Sequence, residues 1–542
     1  MKKNSFMEGS FIATFGIVLC KIIGLIYVIP FYAMISNTGA ALYSYAYSIY
    51  AVFLSLSTSG IPIAMSKLVS EYNSLEYYYT KEKVFKLGNL IILSLGIFFF
   101  LLLFFFSPSV ASFILGGATG GNRVEDVTLV IRVVATALLI VPSLSVIKGY
   151  YQGHKYITPP SIANVMEQLL RVLIILVGCF LSLKVMGLKE SIAIAISVFA
   201  ATIGALLAYL YLYFKMKKNK DSFKSHERIT RNEVKFTTKY LIKQILLLAL
   251  PFIIIDVLKS SYNLVDTLTV VRTLTDLGYA SQVSETAFSV IGTWGSKLSM
   301  IVISISMGIS TSLIPNIASD FIQKKNNSLN TKINQAIQTL LFFIIPMTFG
   351  LFFLARPIWI IFYGYNALSI EVFRMFIIQS ITFSLITILI NIVQTTNKNK
   401  VAILTLLLSL IANAILNIPM MYFCEFIGFG GYQGASVATL ITQIIPCTFL
   451  IFYLKKYLHL NYHSTKINVT KIVLATLIML VSMMILEFFI PLHTLHRISS
   501  ISQVIIYALF GASIYFYIMH KSGVLRQLFG DNMLRKLYKT RS

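Results

Sequence analysis

From Phe11 to Ile35 the chain reads FIATFGIVLCKIIGLIYVIPFYAMI, 25 residues apolar enough to cross a bilayer, whose hydrocarbon core takes roughly 20 helical residues. Thirteen further runs of this kind follow, near 41–64, 87–107, 127–147, 159–183, 190–214, 240–262, 288–314, 334–355, 370–393, 401–423, 432–454, 468–490 and 499–519. In lipid every backbone N–H and C=O must be satisfied, and a helix does this within its own segment. The expected fold is therefore an all-α polytopic membrane protein of 14 transmembrane helices. Composition agrees: the 542 residues are 57% hydrophobic and 12% charged, with a mean hydropathy of +0.80. Lys2 and Lys3 give the N-terminus the look of a signal peptide. The run that follows is too long for an h-region and is interrupted by Lys21, so it reads as a retained first helix.

Lys21 lies near the middle of that first run. A charge at such depth costs at least ~2.5–3.5 kcal/mol and by default faces a polar cavity or a partner. Snorkelling suits residues near a helix end, and Lys21 is about ten residues from either one. Pro30, later in the same helix, frees a backbone carbonyl and permits a bend. A bendable helix with a cation at mid-membrane is a transporter feature.

A formal charge of +25 would suggest nucleic acid in a soluble protein. Here the cations sit in short loops between apolar spans, which points to the anionic leaflet and excludes nucleic acid. The N-terminus, the loops after even-numbered spans and the C-terminal tail hold 33 Lys and Arg. The opposite loops hold six: Arg123, Lys184, Lys189, Arg272, Arg356 and Arg497. That asymmetry predicts a multi-pass protein of the cytoplasmic membrane with both termini in the cytoplasm. Cys20, Cys179, Cys424 and Cys447 lie in or beside apolar spans without CxxC or Cys/His spacing, which argues against a disulfide framework or a metal site.

Ten of the cations fall between Lys215 and Lys243, in a segment that reads as a linker between related halves. Ile61-Pro62-Ile63-Ala64-Met65-Ser66 closes span two, and Ile314-Pro315-Asn316-Ile317-Ala318-Ser319 closes span eight. Gln152-Gly153-His154-Lys155 follows span four, and Gln394-Thr395-Thr396-Asn397-Lys398 follows span ten. Two matches in one order, some 240–250 residues apart, indicate a 6+6 parallel repeat. The expected division is 1–214 (first lobe), 215–239 (basic cytoplasmic linker), 240–457 (second lobe) and 458–542 (helices 13 and 14 with a basic tail). Transporters built this way bind substrate near the midplane at the repeat interface.

Polar residues inside the spans are few. Glu167 and Arg171, at i, i+4, share a face and read as a structural ion pair. Asp256 and Lys259, at i, i+3, either neutralise each other or leave Lys259 for a ligand. Lys21 and Lys297 have no carboxylate at helical spacing, and as point charges they are suited to a diphosphate. Asn413 and Asn417 share a face of span eleven, where interhelical amide bonding is the competing role. With Asp266 and Thr439 they form a candidate site for a monovalent cation, Na+ being the candidate coupling ion. The tyrosines of span two, Tyr43, Tyr45, Tyr47 and Tyr50, fall on more than one helix face. No GxxxxGK[ST], HExxH or GxSxG occurs, so neither an enzyme nor an ATP motor is expected and no organic cofactor is implied. The glycine-rich run Gly116–Gly121 lacks the lysine of a phosphate loop.

Three stretches carry a family likeness: Cys20–Tyr32, Gly39–Tyr45 and Ser59–Ser70, with Asn263-Leu264-Val265-Asp266-Thr267 and the Gln152-Gly153 turn in agreement. They resemble the polysaccharide-transporter branch of the multidrug/oligosaccharidyl-lipid/polysaccharide (MATE-like) flippase superfamily. Within it the likeness is to YtgP-type proteins, relatives of the MurJ lipid II flippases and of SpoVB. The resemblance implies two six-helix lobes in a V, alternating access, and an undecaprenyl-pyrophosphate-linked saccharide as substrate. It also implies a groove for the lipid tail formed by helices 13 and 14. It puts Lys21 and Lys297 where relatives have essential cavity arginines. It puts Asp266, Asn413 and Thr439 at sodium-binding positions, with Asn417 replacing an aspartate. Tyr27 stands where relatives carry a second helix-one arginine, and a helix-two arginine falls at Leu54 or Ser55. The expected function is lipid II translocation for peptidoglycan synthesis, by a monomer whose partners are the substrate, membrane lipids and the cell-wall machinery.

The rival readings are a flippase for another lipid-linked oligosaccharide, a drug/cation antiporter and a non-transporting scaffold. An antiporter of the MATE type would have twelve helices and acidic residues dominating its first lobe. A scaffold would have no need of a lysine at mid-membrane.

Overall fold

The computed structural model describes residues 6–58, 60–116, 121–223, 234, 236–492 and 495–529. Most of the glycine-rich loop, most of the basic linker and the tail beyond Phe529 lie outside the described residues, as do the side chains of 6, 7, 9–11, 13, 14, 57, 221, 311–316 and 529. Every regular element among the described residues is helical. Fourteen helices are long and apolar enough to cross a membrane: α1 (Phe15–Met34), α2 (Asn37–Ser74), α3 (Tyr78–Leu115), α4 (Val124–Gly153), α5 (Thr158–Val185), α6 (Glu190–Lys218), α7 (Thr238–Asp276), α8 (Ser281–Ser310), α9 (Asn326–Phe353), α10 (Ala367–Thr395), α11 (Asn399–Phe426), α12 (Gly431–Tyr457), α13 (His463–Phe489) and α14 (Arg497–Lys521). The number matches the sequence reading.

Several helices outrun their apolar runs. α3 has 38 residues and α7 has 39, which at 1.5 Å per residue is nearly twice the ~30 Å of the hydrocarbon core. α6 continues through Lys218 and a short helix follows at Lys220–Phe223, so the linker begins in helical form. Pro30 cannot donate to the Ile26 carbonyl, and the helical path breaks at Tyr27, between Phe6–Ile26 and Val28–Met34.

The chain forms two compact units, Met1–Gly292 and Thr293–Ser542. In the first unit α7 packs along α2 and α3. α7 is thus part of the first compact unit, although by repeat it opens the second half. A contact unit and a sequence repeat are separate properties, and the backbone carries its own trace of the repeat. Left-handed residues end the inter-span turns at Glu76 and Lys324, Gly116 and Gly364, Lys155 and Asn397, and Gly187 and Gly428. Partners in these pairs stand 248, 248, 242 and 241 residues apart, close to the spacing of the two sequence matches.

Within each unit glycine sets the tightest crossings. A Cβ on Gly149 of α4 would meet the Pro62 carbonyl oxygen of α2 at 2.6 Å, and one on Gly434 of α12 would fall on the Met421 backbone of α11. Lys81, at the start of α3, is buried and donates to the Phe223 carbonyl at 2.9 Å and to Asn73 Oδ1 at 3.2 Å. The Phe223 ring sits among Tyr150, Tyr151, His154 and Tyr156 at 5.0–5.5 Å. The linker therefore starts from an anchored residue. Beyond the α8 span, Lys332 Nζ at 2.6 Å and the Ser328 hydroxyl hold the Asp320 carboxyl below the usual range.

Candidate functional site

In the first unit Lys21 is half-buried on α1, which lies along α5. A Cβ on Gly24 would meet Gln168 Nε2 at 3.1 Å, so the turn after Lys21 is seated closely on α5. The residue before Gln168 centres a charged triad: Glu167 accepts from Lys148 Nζ at 3.1 Å and from Arg171 Nη2 at 2.7 Å. The Glu167–Arg171 pair was legible from its i, i+4 spacing. Lys148 was not; the sequence reading places it in a loop, whereas the structure has it on α4, which continues to Gly153. The triad carries one net positive charge beside α1.

Tyr27, at the break in α1, is buried with its hydroxyl 3.3 Å from that of Tyr43. The Tyr43 and Tyr47 rings stack at 4.6 Å, and Tyr50 meets Tyr47 edge-on at 6.1 Å. Tyr45 points elsewhere and stacks on Phe288 at 4.7 Å. The α2 tyrosines thus divide between two surroundings. Lys259 is half-buried on α7. Its neighbour Ser260 meets the Ser55 hydroxyl of α2 at 2.9 Å. Lys259 thus precedes in sequence the residue of α7 that meets Ser55, one of the two helix-two positions where the resemblance implies an arginine. Asp266, two turns further along α7, is buried.

In the second unit Lys297 follows a π-helical turn, Val290–Trp294, inside α8. Such turns add a residue to the helix and re-aim the side chains that follow. The Lys297 Nζ lies 5.7 Å from the Trp294 ring centroid. Trp294 is fully buried, its carbonyl accepts from the Tyr363 hydroxyl at 2.9 Å, and the two rings meet edge-on. The indole is a fixed cation–π partner for the lysine. No sequence pattern marked this turn.

Asn413 of α11 donates through Nδ2 to Thr439 Oγ1 at 3.0 Å and to Thr442 Oγ1 at 3.3 Å. Its Oδ1 is buried and has no hydrogen-bond partner among the described residues. A buried acceptor of this kind calls for a water or an ion. Asn413, Asn417 and Thr439 are all nearly inaccessible. The second unit therefore brings Asn413 and Thr439 together, while Asp266 belongs to the first unit.

α13 and α14 also lie in the second unit. Together with α9 they line an apolar groove of about 330 Å³, whose walls include Phe342, Pro346, Met347, Met479, Met483, Tyr507, Ala512 and Phe516.

The comparisons agree with this architecture. The family model for polysaccharide biosynthesis proteins matches residues 6–318, more than half of the chain. The chain belongs to the polysaccharide biosynthesis protein family. Within reach of this family, the lipid II flippase MurJ of Bacillus subtilis (strain 168) is 31% identical over 539 residues, 98% of each protein. A solved structure of lipid II flippase MurJ in an inward closed conformation superposes with a TM-score of 0.69 at 19% identity, covering 95% of this chain and 99% of that one. An inward-facing MATE multidrug transporter of the MOP superfamily superposes with a TM-score of 0.65 at 13% identity, covering 81% and 94%. The family member described here thus has the fold of MurJ and MATE transporters, with fourteen helices.

Proposed function

We propose that this protein is a flippase that moves lipid II, the undecaprenyl-pyrophosphate-linked precursor of peptidoglycan, across the cytoplasmic membrane by alternating access. The observation that carries the reading is identity of 31% over nearly the whole of a protein named as a lipid II flippase. The residues fit such a substrate. Lys21 in the first unit and Lys297 in the second each offer a membrane-embedded cation to the phosphates, and Lys259 and the hydroxyl-bearing Tyr27 accompany Lys21. The apolar groove of the second unit suits a polyprenyl chain. Translocation of the lipid requires no covalent step. With no nucleotide-binding motif in the chain, the work comes from the substrate or ion gradient, or from the membrane potential at ~2.3 kcal/mol per charge per 100 mV.

Sodium is our proposed coupling ion. The Asn413 Oδ1, with Thr439 and Asn417 nearby in the same helix pair, is a set of neutral oxygens suited to a hard monovalent cation. Asp266 is the anionic residue to be tested with them. The decisive experiment is depletion of the protein in a strain lacking other flippases, with lipid II measured on each face of the membrane. Accumulation on the cytoplasmic face is expected. Normal export of lipid II with accumulation of another lipid-linked oligosaccharide would replace this substrate by that one.

A further inference from the structure

Arg374 lies near the start of α10 and Glu487 near the end of α13. The structure brings them together. With Arg356, Phe352, Phe353 and Leu492 they line a cavity of about 280 Å³ in the second unit. Arg356 opens the short helix Ala355–Tyr363 that follows α9. The supports of the two arginines are rigid: Trp359, one turn past Arg356, is fully buried and packs at 5.5 Å on Phe373, the residue before Arg374. Two guanidinium groups and one carboxylate leave the cavity with one net positive charge. Loop charge assigns this end of α9, α10 and α13 to the outer face.

The cavity also adjoins the apolar groove. Leu351 and Leu354 line the groove, and Phe352, Phe353 and Arg356 line the cavity. Met483 of the groove is one helical turn before Glu487 of the cavity. The Phe353 ring lies 6.0 Å from that of Tyr507, which belongs to the groove. A ligand with a long apolar chain and an anionic head would meet both surfaces in succession. We propose that the Arg356–Arg374 cavity is a phosphate subsite at the outer end of the groove, taking the phosphate ester of a polyprenyl-linked substrate. The inference rests on the flippase reading for its ligand class. Guanidinium groups suit phosphate oxygens through paired hydrogen bonds. Glu487 lines the same cavity, and its carboxylate competes with the phosphate for the arginines, which keeps the site weak enough to release its ligand.

The test uses the full-length protein in phosphatidylcholine nanodiscs and its own fluorescence. The chain has two tryptophans, so Trp294→Phe leaves Trp359 beside the cavity as reporter. Farnesyl diphosphate is expected to give a saturable change. The double variant Arg356→Ala/Arg374→Ala should weaken it about tenfold or more, the loss of charged hydrogen bonds. Glu487→Gln should tighten it about threefold, a gain that misfolding cannot mimic. Lys21→Ala and Lys297→Ala should leave this signal in place. The proposal is overturned if the double arginine variant binds farnesyl diphosphate as tightly as the parent, or if farnesol binds equally well. It is overturned as a lipid subsite if inorganic pyrophosphate binds as tightly as farnesyl diphosphate, for the cavity then takes a free anion. Loss of binding in the lysine variants alone would sink this subsite and leave the flippase reading standing. Arginine-dependent binding without lipid II accumulation on depletion would do the reverse.

Discussion

Trp294 decides where Lys297 can put its charge. The indole is held by burial and by its edge-on contact with Tyr363, which also donates to the Trp294 backbone carbonyl, and the ammonium lies 5.7 Å from its ring. A cation–π contact of about 0.5–2 kcal/mol is too weak to neutralise the lysine but enough to orient it. Lys297→Ala and Lys21→Ala are therefore expected to abolish complementation of a flippase-depleted strain, whereas Lys→Arg at either site should retain much of it. Trp294→Leu keeps the charge and loses its anchor, so transport in proteoliposomes should fall about tenfold or less without vanishing. Full complementation by Lys21→Ala would reduce that lysine to a snorkelling residue. A second residue-scale outcome concerns Asn413. Removing its buried Oδ1 with Asn413→Leu, or the charge of Asp266 with Asp266→Asn, should weaken sodium stimulation of transport while substrate binding persists. Transport indifferent to sodium in the parent protein would leave the cation site without support.

At the scale of elements, α9, α13 and α14 form a groove whose wall includes Ala512, an exposed small residue of α14. Because Ala512 is exposed, a larger side chain there fills the groove without overpacking a core. Ala512→Phe should therefore leave the thermal midpoint nearly unchanged and lower transport of a long-chain polyprenyl substrate more than that of a short-chain analogue. Equal loss for both chain lengths would show that the tail does not lie there. The sequence announces α13 and α14 by length and apolarity, but an apolar run reads alike whether it faces lipid, a neighbour or a groove. Spacing within one helix is legible, which is why Glu167 with Arg171 could be read. Lys148 joins that pair from another helix, and Arg356, Arg374 and Glu487 come from three separate stretches, so only the folded chain brings them together. The π turn before Lys297 is equally silent, since any residue can occupy it. α7 illustrates the same limit for domains: its repeat position is visible in the sequence, while its packing along α2 and α3 is a tertiary fact.

For the whole molecule, the orientation in the membrane is expected from two asymmetries that agree. The first is charge: 33 Lys and Arg on the side of the termini against six on the other, with ten of them between Lys215 and Lys243. Anionic headgroups hold such segments at about 1 kcal/mol per cation near the surface. The second is the backbone of the turns. Among the described residues, the left-handed inter-span residues on the terminal side are Glu76, Lys155, Lys324, Asn397 and His459, whereas on the other they are Gly116, Gly187, Gly278, Gly364, Gly428 and Gly430. A side chain in that conformation costs ~1–2 kcal/mol relative to glycine, and on one side polar side chains, three of them Lys or His, occupy it even so. Reporters fused after Lys220 and at the C-terminus should therefore be cytoplasmic, and reporters placed near Arg123 and Gly364 external. Thiol labelling of single cysteines introduced at Glu76 and Asn397, in a protein whose four native cysteines are replaced, should require a membrane-permeant reagent, whereas cysteines at Gly187 and Gly428 should react with an impermeant one. An external C-terminus with a cytoplasmic N-terminus would require an odd number of crossings and break the pairing of turns 241–248 residues apart. Inversion of all sites would instead keep the fourteen helices and put the Arg356–Arg374 cavity on the cytoplasmic face.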